Sequence, residues 1–266
     1  MVILNKKVCW MPRTIITTCG TSLFKSCCWR YEGLCKDSIS EMKDETERMG
    51  YESVCDIKLK QALNDDFDLA KEFDPSAWED LYLRDLPAEL ASLRVIQRYF
   101  EKIDRPLGRG DRVILLHSDT EEGFFCSKNI YYTILNNNLL NGANIVQWRI
   151  EGLNLHNSDN FGYALQSIWQ DMIELHADNE NEYFLNLTGG YKGVTILLGG
   201  FAYFRSKVNI FYLHEDLKSE EISIFGFDKA KNKKDRFYFI SVYNAKKDQI
   251  IVGNEKRNSF GPNFEF

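Results

Sequence analysis

The chain has 266 residues, 44% of them hydrophobic, enough to bury a full core in one large α/β domain with a small appendage. A formal net charge of -6 argues against a general nucleic-acid coat, because sequence-independent binding draws on excess Lys and Arg, so an anionic ligand would need a local pocket. No apolar run approaches the ~20 residues of a membrane helix, and the opening MVILNKKVCWMP mixes charge with short apolar pieces, so a cytoplasmic protein without a signal peptide is expected.

In chain order, residues 13–18 (RTIITT) form a β-branched run that predicts the first buried strand, ending at Cys19, Gly20, Thr21 and Ser22. Residues 35–105 are charged and helical in character. Ser38 with Glu41 and Ser76 with Glu79 fit capping boxes, and Pro87 marks a break before a helix over 88–102. That stretch is too long for one crossover and reads as a helical insertion after strand one. Residues 112–117 (RVILLH) predict the second strand. Asp119 then caps a helix carrying Phe124, Tyr131, Ile134 and Leu135 on one face.

A third strand follows over 144–150. Leu165, Ile168, Trp169, Met172 and Ile173 then make a stripe at helical spacing. A strand over 183–187, a helix over 194–204 and a strand over 208–213 continue the alternation. This pattern predicts a doubly wound, mostly parallel sheet with helices on both faces. Two further strands, 237–243 and 249–252, are expected in a β-rich C-terminal appendage. The division is 1–225 for the main domain and 226–266 for the appendage.

The seven cysteines, Cys9, Cys19, Cys27, Cys28, Cys35, Cys55 and Cys126, are odd in number, and no CxxC pair is answered by a second. Reduced thiols are expected, with a redox role for Cys27 and Cys28 as the alternative. A structural zinc site is not expected.

The chemistry concentrates in Thr188-Gly189-Gly190-Tyr191-Lys192-Gly193, where an apolar strand runs into an apolar helix. Two glycines free the backbone, the new helix presents unpaired N–H groups, and Lys192 adds positive charge: the ingredients of an anion grip. A plain strand-to-helix turn with a solvated lysine fits the same residues. The loop matches neither the Walker A spacing nor GxGxxG. In the doubly wound order 3-2-1-4-5-6, strands one and four are neighbours where the winding reverses, and ligands bind there. Gly20, Thr21 and Ser22 would then face Thr188, Gly189, Gly190 and Lys192 across one crevice.

Other candidates read as structural. Asp119 is taken as the helix N-cap, His117 as a satisfied core histidine, and His214 with Glu215 as part of the crevice rim. Arg112 to His117 and Arg149 to His156 imitate the spacing of a helical ribonuclease motif, but strands and loops cannot present them as a helix would. Gly20-Thr21-Ser22-Leu23-Phe24 lacks the second glycine of a serine-hydrolase elbow.

Six pieces occur in one order: TTCGTSLF (17–24), LPAELASL (86–93), LLHSDTEEGFFC (115–126), IEGLNL (150–155), LNLTGGYKG (185–193) and VNIFYLHE (208–215). Together they make a chain that resembles CARF proteins, the CRISPR-associated Rossmann fold, and looks closest to the small ring-nuclease branch. The resemblance implies a Rossmann-like sheet and a homodimer that binds cyclic oligoadenylate, with cyclic tetra-adenylate favoured. These rings are second messengers of type III CRISPR defence. Some members of the family only sense the ring; others cleave it without metal to linear products with 2′,3′-cyclic phosphate ends.

By the same resemblance Ser22 and Lys192 match the cleavage positions, and Gly20, Thr21, Thr188, Gly189, Gly190 and Tyr191 would bind the ligand. Neither a metal nor a cofactor is implied. The cysteine-rich segment after strand one and the β tail depart from the family pattern, and no fused effector domain is evident. A non-cleaving sensor that signals to a partner and an unrelated mononucleotide enzyme are the competing hypotheses.

Overall fold

The computed structural model describes residues 11–23, 67–73, 75–79, 86–154, 158–177, 181–205, 208–213, 221–229 and 235–252. Strand β1 (Arg13–Cys19) is buried at every residue, as its β-branched run requires of a central strand. Around it lie β2 (Arg112–Ser118), β3 (Asn144–Ile150), β4 (Glu182–Asn186) and β5 (Val208–Leu213). The chain then adds β6 (Glu221–Lys229), β7 (Asp235–Asn244) and β8 (Gln249–Val252). All belong to one sheet in the order β3-β2-β1-β4-β5-β6-β7-β8. The first five strands pair in parallel; β6, β7 and β8 join antiparallel. This is an α/β fold with an open, mostly parallel sheet flanked by helices, consistent with a Rossmann-like architecture.

Side-chain alternation along each strand builds two cores. Ile15, Val113, Leu115, Phe184 and Phe211 face helices α3 (Ala88–Lys102) and α4 (Glu121–Asn136). Ile16, Ile114, Leu116, Leu185 and Ile210 face α5 (Ser158–His176) and α6 (Lys192–Phe204). The stripe expected on α5 is the stripe that packs: Ile168 and Met172 are buried, and Leu165, Trp169 and Ile173 lie partly buried against them.

Several local expectations need correction. On α4 the buried apolar residues are Cys126, Ile130 and Ile134, while Phe124 and Leu135 are exposed, so the inward face is rotated from the one expected. Its N-cap is Thr120, whose hydroxyl accepts from Gly123 N at 3.1 Å, rather than Asp119. Ser76 lies inside the short helix α2 (Pro75–Glu79), which starts on Pro75, a residue suited to a first turn. It follows α1 (Leu69–Glu72), capped by Asp68. The box at Ser38 and Glu41 lies outside the described residues, as do Cys9, Cys27, Cys28, Cys35 and Cys55. Cys19 and Cys126 are buried free thiols.

Helix α3 covers the sheet itself, packing Phe100 on Phe184 and Phe211 at ring-centroid distances of 5.2 and 5.8 Å. The C-terminal strands share that core: Tyr243 of β7 is buried, 6.1 Å ring to ring from Tyr99 of α3. Strand β6 was not anticipated from the sequence. It places Ile222 and Ile224 in the core beside α3, and through it the tail strands extend the main sheet. At the opposite end of β1, Arg13 and Asp111 form a buried ion pair at 2.7 Å, and Arg13 also donates to the Pro106 carbonyl at 2.8 Å.

Candidate functional site

Register puts Thr17 of β1 opposite Asn186 of β4, so the loops leaving the carboxyl ends of these two neighbouring strands run side by side. They meet backbone to backbone. A Cβ built on Gly20 would lie 3.0 Å from the Gly190 Cα. Gly190 has φ +88, a conformation glycine adopts without strain, and a Cβ there would fall 2.5 Å from the Thr18 Cβ. The Thr18 hydroxyl donates to the Gly189 carbonyl and holds this contact closed. The glycine pair therefore serves the meeting of two loops; the space beside it is filled by protein.

Thr188 is drawn inward by the same logic. Its hydroxyl donates to Asn186 Oδ1 at 2.8 Å and accepts from Leu213 N at 3.0 Å, tying the β4 loop to the end of β5. Asn186 is fully buried and donates to Ser92 Oγ of α3 at 2.7 Å. The fold thus uses the Thr188 side chain as a strut. Tyr191 is half-buried, its ring 5.5 Å from that of Phe161 on α5.

Lys192 is different. It is exposed at the first position of α6, and among the described residues it has no hydrogen-bond or ion-pair partner. Tyr191 occupies the N-cap without a side-chain cap bond, so the first N–H groups of α6 gain no cap beside a free ammonium.

Ser22 is half-buried in the loop after β1. Its Oγ accepts from Ala88 N at 3.1 Å and donates to Glu89 Oε2. The other carboxylate oxygen of Glu89 accepts from Gly20 N at 2.9 Å. A Cβ on Gly189 would lie 2.9 Å from that same oxygen. Glu89 is 0% exposed, so one buried carboxylate touches both loops. The negative charge also acts on Cys19, whose thiol is held well above its ordinary value, by burial first and by Glu89 second.

Sequence reasoning missed Glu89. The available signal was an acid in the buried stripe Glu89, Leu93, Ile96 and Phe100 of an otherwise apolar helix face. Thr21 lies half-buried between Gly20 and Ser22.

His117 and Asp119 are structural in this geometry. His117 is 2% exposed, its Nδ1 lies 2.9 Å from the Ser118 carbonyl, and burial lowers its pKa. Asp119 accepts from Gly152 N at 2.9 Å and from Arg149 Nε, bracing the turn after β3. The Gly152 N–H, then Arg149, hold its carboxyl below the usual range. Arg112 and His117 lie on β2, Arg149 on β3, and His156, His214 and Glu215 lie outside the described residues. Among the described residues no group of three or more His, Cys, Asp or Glu could hold a metal ion, and no helix is long and apolar enough to cross a membrane.

Comparison with known proteins adds one family. The model of the family described as CRISPR-associated protein (Cas_APE2256) matches residues 84–224, more than half of the chain. The matched span runs from just before α3 into the start of β6 and includes Glu89 and the β4 loop. A search of curated proteins found no match.

Proposed function

The chain belongs to the CRISPR-associated protein family Cas_APE2256, and from that premise we propose that it binds cyclic oligoadenylate at the paired β1 and β4 loops and cleaves it. The products are linear, with 2′,3′-cyclic phosphate ends. A homodimer, two copies of the crevice around one symmetric ring, is part of the proposal. So is a place in the cytoplasm, where type III defence signals.

The observation that carries this reading is Lys192, exposed and without a partner among the described residues, at the uncapped N-terminus of α6 two residues after the Gly20–Gly190 contact. A helix N-terminus with an adjacent cation favours a phosphate. In the proposed reaction a ribose 2′-OH attacks the neighbouring phosphorus, the 2′-O–P bond forms and the P–O5′ bond breaks. Lys192 and the first N–H groups of α6 stabilise the charge that grows on the equatorial oxygens. Ser22 holds the ribose in line. Neither residue is a covalent nucleophile.

The test is incubation of the purified chain with cyclic tetra- and hexa-adenylate in EDTA, followed by mass spectrometry. Linear products ending in 2′,3′-cyclic phosphate are expected. Lys192→Ala should lose cleavage by more than it loses binding, because the charge matters most in the transition state. Tight binding with the ring intact at stoichiometric protein would sink the nuclease reading and leave a sensor. Stabilisation by ordinary nucleotides alone would point to a mononucleotide enzyme.

A further inference from the structure

We propose that Glu89 is the proton acceptor of this site and works through Ser22, so that the pair removes the 2′-OH proton as the ring is cut; this rests on the nuclease reading above. The inference starts from the cost of the arrangement. A fully buried carboxylate is expensive unless it is hydrogen-bonded, and α3 could carry an apolar residue at this point of its inward stripe. Instead Glu89 accepts from Gly20 N at 2.9 Å and from the Ser22 hydroxyl. With Ala88 N donating to Ser22 Oγ at 3.1 Å, the hydroxyl proton is turned toward the carboxylate. A serine hydroxyl carries two acceptor positions beside its one proton, so Oγ is the atom that would take the 2′-OH proton.

The proton balance is simple. The 2′-OH passes its proton to Ser22 Oγ while the serine proton passes to Glu89 Oε2. The 2′ oxygen bonds to phosphorus, and the departing 5′ oxygen takes a proton from water. Glu89 then returns its proton to water through Ser22. Among the described residues, Cys19 on β1 is a titratable group that feels the Glu89 charge. Glu89 touches no substrate in this scheme; it is a positioning residue for Ser22 and the sink for the proton.

Glu89→Gln separates this role from a structural one. The amide still accepts from Gly20 N and can donate to Ser22, so the loops stay in place, but it cannot take the proton. Single-turnover cleavage of cyclic tetra-adenylate by the full chain should fall about a hundredfold or more, the usual scale of general-base catalysis. The Kd for the ring should stay within about threefold, since little ground-state contact is lost. The acid limb of the wild-type pH–rate profile should vanish in Glu89→Gln and persist, at reduced rate, in Glu89→Asp.

Equal cleavage by wild type and Glu89→Gln overturns the proposal, and so does a loss of cleavage matched by a loss of binding. A wild-type chain that leaves the ring intact removes the nuclease reading and this proposal together. Should Glu89→Gln fail to fold, Ser22→Ala carries the test: loss of the acid limb supports the relay, and its survival overturns it.

Discussion

Replacing Gly190 by Ala perturbs the point where the two loops touch. At φ +88 an alanine sits in left-handed space, which costs about 1–2 kcal/mol. The new methyl would also lie 2.5 Å from Thr18 Cβ, 2.9 Å from its Oγ1 and 3.1 Å from its carbonyl carbon. Thr18 is buried, and its hydroxyl is bonded to the Gly189 carbonyl, so it cannot swing away without losing that bond. Overpacking of this kind costs about 1–3 kcal/mol, which brings the total to about 2–5 kcal/mol.

A domain with typical stability of about 5–15 kcal/mol still folds. Its urea midpoint, followed by circular dichroism, should fall by on the order of 1 M. Gly162→Ala is the internal control. Gly162 is exposed on α5 with nothing within 4 Å of a new Cβ, so helix propensity alone should stabilise it by up to about 1 kcal/mol. A Gly190→Ala protein within about 0.5 kcal/mol of wild type, the range of an ordinary surface change, would refute the packing argument.

Asp111→Asn removes the charge that Arg13 Nη2 meets at 2.7 Å in a buried pair, and unfolding free energy should drop by about 3–5 kcal/mol; an unchanged denaturation midpoint would contradict this. Thr188→Val deprives Leu213 N of its acceptor and leaves Asn186 Oδ1 only the long bond from Thr188 N, which should cost about 1–3 kcal/mol, with Thr188→Ser restoring most of it. If Thr188→Val were neutral to stability, the strut assignment would fail. His117 has a folded pKa below its ordinary 6.5 because burial disfavours the charged ring. Its contribution is therefore full above about pH 6.5 and lost as pH falls through the lower folded value. Wild-type stability should decline from pH 6.5 toward 5, and His117→Gln should decline less; parallel slopes would rule this out.

The legible part of the fold was the part governed by local periodicity. β-branched runs at 13–18 and 112–117, and the stripe from Leu165 to Ile173 on α5, predict their elements because alternation and helical spacing are properties of short windows. The parallel core order, with β1 beside β4, followed from that alternation. What failed was finer. On α4 the inward face depends on which side of the helix meets β2 and β3, and Thr120 took the cap because Asp119 is pulled away by Gly152 N and Arg149, residues of another strand and its turn.

By itself the sequence determined a doubly wound α/β chain with two glycine-bearing loops and a lysine beside one of them. Glycine is visible in a sequence, and so is a charge after it. Only the tertiary structure decided what the glycines and the lysine are set against. Gly190 packs on Thr18 and Gly20, Gly189 on Glu89, and Ser22 bonds to a carboxylate 67 residues away in the chain. It also decided that β6, β7 and β8 complete the one sheet over α3. The reason is the same in each case: periodicity is encoded locally, whereas the partner of a buried polar group or a sheet edge is chosen by the packing of the whole chain.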